Sequence, residues 1–364
     1  MDVGERTGAN AFGSAEFALA VECCRRAFPN STATAIDLRS VNWDAFLRLV
    51  RFHRIEGLAW NGLAAIAEVP ATVAEALKVA ASTIAAENLR AKAECVRLLN
   101  RFEAATVPLL FLKGLTLGAL AYRNPAIKSA VDIDLLIAPE QLPQAAEVLR
   151  ERGYELHFPR GVGLVELRRK WKESDWLRHG SPSFQIDLHT RTADNPLLIP
   201  TITAHSPRRL VDIGDGISLP TLAEDETFAY LAVHGASSAW FRLKWISDFA
   251  ALISAKPPAE IQQLYRRSQE LRCGRAAAQA LLLADTLFGS LEQLPELRQE
   301  LAGDSRTRLL FRTALRQLTR DPIEPTERRM GTLAIHWTQF LLLPGLAYKR
   351  KELAGQAARI MSRF

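Results

Sequence analysis

Three acidic residues set the chemistry this chain can support. In SAVDIDLLI, residues 129–137, Val131, Ile133, Leu135 and Ile137 alternate as the apolar positions of a strand, with Asp132 and Asp134 between them. Aspartate is depleted in strands because it packs poorly and competes for local backbone hydrogen bonds, so a pair of them needs a reason. Side chains two apart on a strand point to one side, with Cβ atoms about 6–7 Å apart. Unscreened, two such carboxylates repel and one tends to hold a proton. A divalent cation removes the conflict, because Mg²⁺ favours carboxylate oxygens together with substrate phosphates. PSFQIDLHTR, residues 182–191, supplies a third acid: Phe184, Ile186 and Leu188 alternate on one side, Asp187 and His189 on the other. Asp132, Asp134 and Asp187 thus form a candidate triad for a two-metal site, where one ion activates an attacking oxygen and the other steadies a leaving pyrophosphate. The DxD alone is a weak signal, since a solvated strand end or a turn also produces it.

The elements around these acids strengthen the signal. VPLLFL, residues 107–112, is an apolar run of strand length followed at once by Lys113-Gly114, and Leu115 to Tyr122 has helical character. Strand, turn and helix in this order let helix-terminal N–H groups meet an anion, with Gly114 permitting close approach and Lys113 adding charge towards phosphates. Thr116, in the first turn, can touch a phosphate or a water on the metal, or satisfy only its own helix. Arg123 in the AYRNP loop faces substrate or solvent. QLPQAAEVLRERG reads as a helix closed by Gly153 and GYELHF as a strand, and a charged stretch leads to the strand of Asp187. Upstream, residues 43–66 read as a helix capped by Asn42, and residues 71–105 as a long helix. His53 in the first of these is expected to be structural. Beyond Asn195 the chain turns helical, notably at 223–236, 241–255, 259–288 and 306–319. The expected fold is α+β: a small mixed β-sheet core, residues 105–192, between an N-terminal helical region, 1–104, and a C-terminal helical domain, 193–364.

Composition narrows the setting. The 364 residues are 48% hydrophobic, which supports a sizeable core and excludes wholesale disorder. A charge of +6 and a pI near 9.3 suit anionic substrates without marking a nucleic-acid binder. Cys23, Cys24, Cys95 and Cys273 show no CxxC spacing, so neither a disulfide framework nor a cysteine zinc site is expected. MDVGERTGAN lacks the layout of a secretory signal, and residues 332–348, the nearest approach to a membrane span, are interrupted by His336, Gln339 and Pro344. A cytoplasmic protein without stable membrane insertion is expected. P-loop, HExxH, GxSxG and dinucleotide-binding glycine patterns are absent, against P-loop kinases, zincins, hydrolases and dehydrogenases.

The ordered set LLFLKGLTLGALAYRNPAIKSAVDIDLLI, AAEVLRERGYE, FQIDLHTR and HGASSAWFRLKWISDFAALI resembles the uncharacterised nucleotidyltransferase family of the DNA-polymerase-β-like superfamily, over about residues 45–290. The resemblance implies transfer of a nucleoside monophosphate from a nucleoside triphosphate, ATP foremost, to a hydroxyl-type acceptor with pyrophosphate release. It implies two Mg²⁺ ions, with Mn²⁺ as a substitute, held by Asp132, Asp134 and Asp187. Lys113 and Gly114 stand where the superfamily usually has a Gly-Ser phosphate-binding turn. Lys128 stands where the family often has arginine, which keeps the charge and loses the bidentate fork. Members resembling this family accompany biosynthetic gene clusters, so a small molecule or peptide is the expected acceptor rather than RNA. No aromatic-basic interleaving of the kind that stacks bases is present.

HGASSAWFRLKWISDFA, residues 234–250, is the second concentrated signal. On a helix Phe241, Trp245 and Phe249 form one aromatic stripe, and Lys244 and Asp248 share a face and can pair. His234, Arg242 and Lys244 can reach nucleotide or acceptor from this second lobe, or serve a packed helix. His189 orders the site or makes only structural hydrogen bonds. The basic tail from Tyr348 to Phe364 is expected to be a solvated helix. Two rival readings remain: a catalytically decayed nucleotide-binding module, which would lack a well-placed third carboxylate, and an accessory binding protein of a biosynthetic pathway.

Overall fold

The computed structural model of the protein describes residues 13–31, 36–129, 132–180 and 183–361; Val131, Pro182 and the last residues of the basic tail lie outside them. The chain opens with helices α1 (Ala15–Arg26), α2 (Trp43–His53), α3 (Glu56–Leu63) and α4 (Ala71–Ala104). Asn42 caps α2 as expected, its side chain accepting the Ala45 N–H at 3.0 Å. The segment 43–66 is two helices rather than one. Arg54 enters the left-handed region, with φ 54°, and the N–H of buried Ile55 closes on the Val50 carbonyl at 3.1 Å. That closure satisfies an orphan carbonyl and buries an apolar side chain, which compensates a left-handed residue that is not glycine.

The α/β part follows: β1 (Leu109–Phe111), α5 (Leu115–Tyr122), β2 (Ile133–Ile137), α6 (Leu142–Glu151), β3 (Glu155–Phe158), α7 (Leu164–Lys170), β4 (Glu173–Arg178) and β5 (Phe184–His189). The strands form one mixed sheet in the order β1-β2-β5-β4-β3. Only β2 and β5 run parallel; β1 is antiparallel to β2, and β4 to both β5 and β3. A hairpin of β6 (Arg208–Asp212) and β7 (Ser218–Leu222) comes next, and Thr221 Oγ1 fastens it to β1 by donating to the Phe111 carbonyl at 2.5 Å. It replaces the helical continuation expected beyond Asn195. The remaining helices are α8 (Glu224–Ser237), α9 (Leu243–Ile253), α10 (Pro258–Glu270), α11 (Gly274–Phe288), α12 (Pro295–Gly303), α13 (Ser305–Leu318), α14 (Leu333–Gln339) and α15 (Leu346–Met361). The expected helix at 259–288 is divided where Arg272 turns to φ 64°. Residues 332–348 are likewise split between α14 and α15, and among the described residues no helix is long and apolar enough to cross a membrane.

Strand alternation sorts the side chains onto two faces. Ile133, Leu135, Ile137, Trp176, Ile186 and Leu188 share a core with residues of α4 and α6. Leu110, Leu112 and Leu136 point the other way, into a second core that joins residues of α1–α3 and α5 to residues of α8–α11 and α13. On that second face, towards β4 and β3, the apolar pattern gives way to acids.

A buried carboxylate ties the back of the sheet to α4. The Glu94 side chain is 0% exposed and receives Arg178 through both oxygens, at 2.9 and 3.1 Å. Arg152 at 3.2 Å, the Tyr154 hydroxyl at 3.0 Å and Arg97 at 3.2 Å complete its shell. Burial opposes ionisation of Glu94, but Arg178 and Arg152 outweigh it and hold the carboxyl below its ordinary value.

Candidate active site

Asp132 directly precedes β2, Asp134 lies within it and Asp187 lies on β5. The parallel register sets Asp134 opposite Asp187. One carboxylate oxygen from each of the three acids lies within 4.8 Å of the others. Asp134 is buried and takes Lys113 Nζ at 2.9 Å and His189 Nε2 at 3.1 Å on the same oxygen. Burial works against its ionisation, yet Lys113 and then His189 hold the carboxyl well below its usual range. Lys113 shows the reciprocal balance: burial lowers it, but Asp134, then Tyr230 and Asp132, keep the ammonium well above its ordinary value.

Asp187 has the opposite environment. Burial, then Asp134, then Asp132 push its carboxyl up to about 9, although Gln185 Nε2 donates to Oδ1 at 3.0 Å. Three carboxylates this close, one of them kept from ionising by burial and by the other two, fit a divalent cation, which one oxygen from each would hold. A consequence follows for metal binding. Near neutral pH Asp187 carries a proton that a cation must displace, so Mg²⁺ affinity falls as pH drops below about 9, by up to roughly tenfold per unit. Titration of Mg²⁺ in buffers of different ionisation enthalpy is expected to give release of close to one proton; heats independent of the buffer would exclude this coupling.

The turn after β1 borders the same acids. Gly114 has φ 65° and ψ −124°, a conformation L side chains rarely adopt, and starts α5 with no side-chain cap. The first N–H groups of α5 are therefore free of a capping side chain where Lys113, Gly114, Thr116, Asp132 and Asp134 line one small cleft. Thr116 is buried and donates its hydroxyl to the Lys113 carbonyl at 3.1 Å, so that hydroxyl is satisfied within its own turn.

β4 adds residues that sequence reasoning passed over. Asp175 lies opposite Asp187, and Glu173 opposite His189. Glu173 takes Lys172 Nζ at 2.8 Å and lies 3.1 Å from His189 Nδ1. Burial would raise Glu173, but Lys172 and His189 hold it at about 2. Asp175 is pushed up, by burial first and by Glu173 next. The signal was present in KESDWLR, where buried Ser174 and Trp176 alternate with the two acids.

From α8, Tyr230 and His234 stand close to these charges. Burial, then Lys113 and Lys172, drives His234 well below its ordinary value, so its imidazole is neutral; the ring lies 5.9 Å from Tyr230 and 5.6 Å from Trp245. Burial also raises the Tyr230 phenol to about 12. On α9, burial and then Lys128 lower Lys244 to about 8. Among the described residues no ion pair ties Lys244, and the Lys244–Asp248 pair that the spacing allows is not formed. Asp248 is buried and instead takes the Tyr122 hydroxyl at 3.0 Å and Lys128 Nζ. Lys128, a candidate phosphate ligand, is thus paired with Asp248 and not with one of the three aspartates.

Phe241 precedes α9, and the aromatic residues form two groups rather than one stripe: Phe241 on Trp245 at 4.9 Å, and Phe249 on Phe228 at 4.9 Å and Trp240 at 6.1 Å. Arg242 is buried, engages the Phe52 carbonyl and Glu324, and covers the Phe52 and Phe241 rings. It is not brought to the acids. His53 serves structure, accepting the Leu243 N–H at 3.0 Å, with burial and Arg242 lowering it to about 3. Arg123 is exposed at the left-handed end of α5. All four cysteines are buried thiols.

Three converging carboxylates beside an uncapped, glycine-started helix form a site of the kind that takes a divalent cation together with a phosphate. The sequence matches the uncharacterised nucleotidyltransferase family over residues 39–289, more than half of its length, and the chain belongs to that family. No curated protein matches it.

Proposed function

We propose that this chain is a Mg²⁺-dependent nucleotidyltransferase that moves a nucleoside monophosphate from a nucleoside triphosphate, ATP foremost, to a hydroxyl acceptor and releases pyrophosphate. The observation that carries this reading is the convergence of Asp132, Asp134 and Asp187 within 4.8 Å. Bound divalent ions would supply charge neutralisation at the entering and leaving oxygens, and these three acids would hold them. The remaining work belongs to the chain. Gly114 lets phosphates approach the start of α5 without a side chain in the way. Lys113, kept charged by Asp134, stands at the seam between helix start and carboxylates and balances the anion. His189 orients Asp134 through Nε2 while Glu173 lies beside its other nitrogen. Neutral His234, Tyr230 and unpaired Lys244 give the nucleotide a polar wall on the side of α8 and α9.

A decayed nucleotide-binding relative would lack a well-placed third carboxylate; Asp187 keeps its position, which favours the enzyme. Small molecules or peptides in the cytoplasm are the acceptors in this reading. Isothermal titration with Mg²⁺ and each nucleoside triphosphate tests it. Mg²⁺-dependent triphosphate binding that disappears in Asp132→Ala/Asp134→Ala supports the assignment, whereas no binding, or binding unchanged in that variant, rejects it.

A further inference from the structure

The sheet face that carries the acids continues past β5. Successive registers line up Asp134 on β2, Asp187 on β5, Asp175 on β4 and Phe158 on β3. Directly opposed residues on neighbouring strands point to the same side, so Phe158 shares the face of the aspartates. An irregularity between Leu156 and Phe158 sets this register. Phe158 is 39% exposed, and its ring meets Trp171 edge-on with centroids 5.0 Å apart. Neither ring belongs to the two hydrophobic cores. Together with His157, Pro159, Arg160 and Val162 they line a pocket of about 370 Å³. Small-molecule sites run from about 300 to 1,000 Å³, so this one has room for a ring and its substituents.

The position of the pocket relative to the phosphate turn says what it holds. Phosphoryl transfer places the entering and leaving oxygens roughly in line. In the nucleotidyl-transfer reading, pyrophosphate departs towards Lys113 and Gly114, which follow β1 on one side of β2. The entering hydroxyl therefore arrives from the opposite side, across β5 and β4, where Phe158 on β3 meets Trp171 at the end of α7. Strands lie about 4.8 Å apart, so β3 is about 10 Å from β5. Asp175 stands between, which disfavours an anionic connection and suits a neutral or cationic one.

We propose that the pocket of Phe158 and Trp171 seats an aromatic ring of the acceptor, which makes the acceptor a neutral or cationic hydroxyl compound with a planar ring about 10 Å from its reacting oxygen. This rests on the nucleotidyl-transfer reading. The hydroxyl oxygen bonds to the α-phosphorus, the bond from that phosphorus to the bridging oxygen breaks with its electron pair leaving on pyrophosphate, and the hydroxyl proton is released to water.

Two peptide probes test it, Ser-Gly-Phe-amide and Ser-Gly-Ala-amide. An extended peptide rises about 3.3–3.6 Å per residue, so the serine hydroxyl and the phenyl ring can span the required distance. Binding to the full chain is measured by calorimetry and by saturation-transfer NMR, with Mg²⁺ and a non-hydrolysable ATP analogue present. The phenylalanine peptide is expected to bind at least tenfold more tightly than the alanine peptide. Phe158→Ala/Trp171→Ala is expected to erase that preference and to leave the affinity for the Mg²⁺–ATP analogue within twofold of wild type. Equal or absent binding of the two peptides by the wild type overturns the proposal, and so does a preference that survives in the double variant. The wild-type comparison decides even where the double variant does not fold. A wild type that keeps the preference but fails to bind the nucleotide instead rejects nucleotidyl transfer, and with it the acceptor role of the pocket.

Discussion

Asp187→Asn should lower nucleotidyl transfer about a thousandfold and, in metal-free protein, raise the melting temperature. Loss of one of three carboxylates forfeits several kcal/mol of metal-borne charge stabilisation, and about 4 kcal/mol corresponds to three decades in rate. The stability effect has the other sign because Asp187 is crowded. Its folded-state carboxyl sits at about 9, above the ordinary carboxylate range of the unfolded chain. The favourable contribution of the protonated group is thus complete only at acidic pH, below that ordinary range, and is progressively lost as pH rises towards about 9. At pH 7 an amide in its place removes this penalty. A gain of about 1 kcal/mol, or about 2 °C, is expected after discounting for solvent and relaxation. Scanning calorimetry with and without Mg²⁺ reads both parts: Mg²⁺ should raise the transition of the wild type and leave that of the variant unmoved. A variant that melts several degrees below the metal-free wild type would refute the crowding argument.

Glu94→Gln is expected to produce the largest loss of stability, about 3–5 kcal/mol. The carboxylate is fully enclosed and serves Arg178 on β4, Arg152 at the end of α6, Tyr154 and Arg97 at once. An amide keeps the shape but leaves the guanidinium groups of Arg152 and Arg178, both largely withdrawn from water, without a counter-charge. Arg178 also covers the Tyr154 and Phe184 rings, at 5.0 and 4.8 Å, so its displacement disturbs packing on β5 as well. Urea unfolding measures the change, and a shift below about 1 kcal/mol would reduce the cluster to the worth of a surface ion pair.

Much of the site was legible because its signals are local. A strand alternating Ile133, Leu135 and Ile137 around Asp134 sends those apolar side chains to one face and the carboxylate to the other, and the same logic applied to Ile186 and Leu188 located Asp187. Gly114 announced a turn that only glycine adopts easily. What stayed hidden depends on distant partners. β4 reads as a charged stretch, because the face towards the core includes the small polar Ser174 and the other face carries Glu173 and Asp175. The β6–β7 hairpin carries a turn signal in Gly214-Asp215-Gly216, but the exposed Arg208 and Leu210 obscure its alternation. Lys244 and Asp248 have the spacing of a helical pair, yet Asp248 is claimed by Lys128, 120 residues earlier, and by Tyr122. Arg54 ends α2 without a glycine to mark it, because the burial of Ile55 sets the break.

The core shared by the first helices and the last has a consequence for how the protein comes into being. Phe17, Phe46 and Leu58 close against the same apolar mass as Phe249, Leu281 and Leu310. A nascent chain emerging from the ribosome therefore carries sticky, half-made helices for more than two hundred residues before their partners arrive. Such a chain is expected to need chaperones during synthesis. Its two ends, expressed as separate pieces, are expected to be insoluble alone and to recover solubility only when produced together.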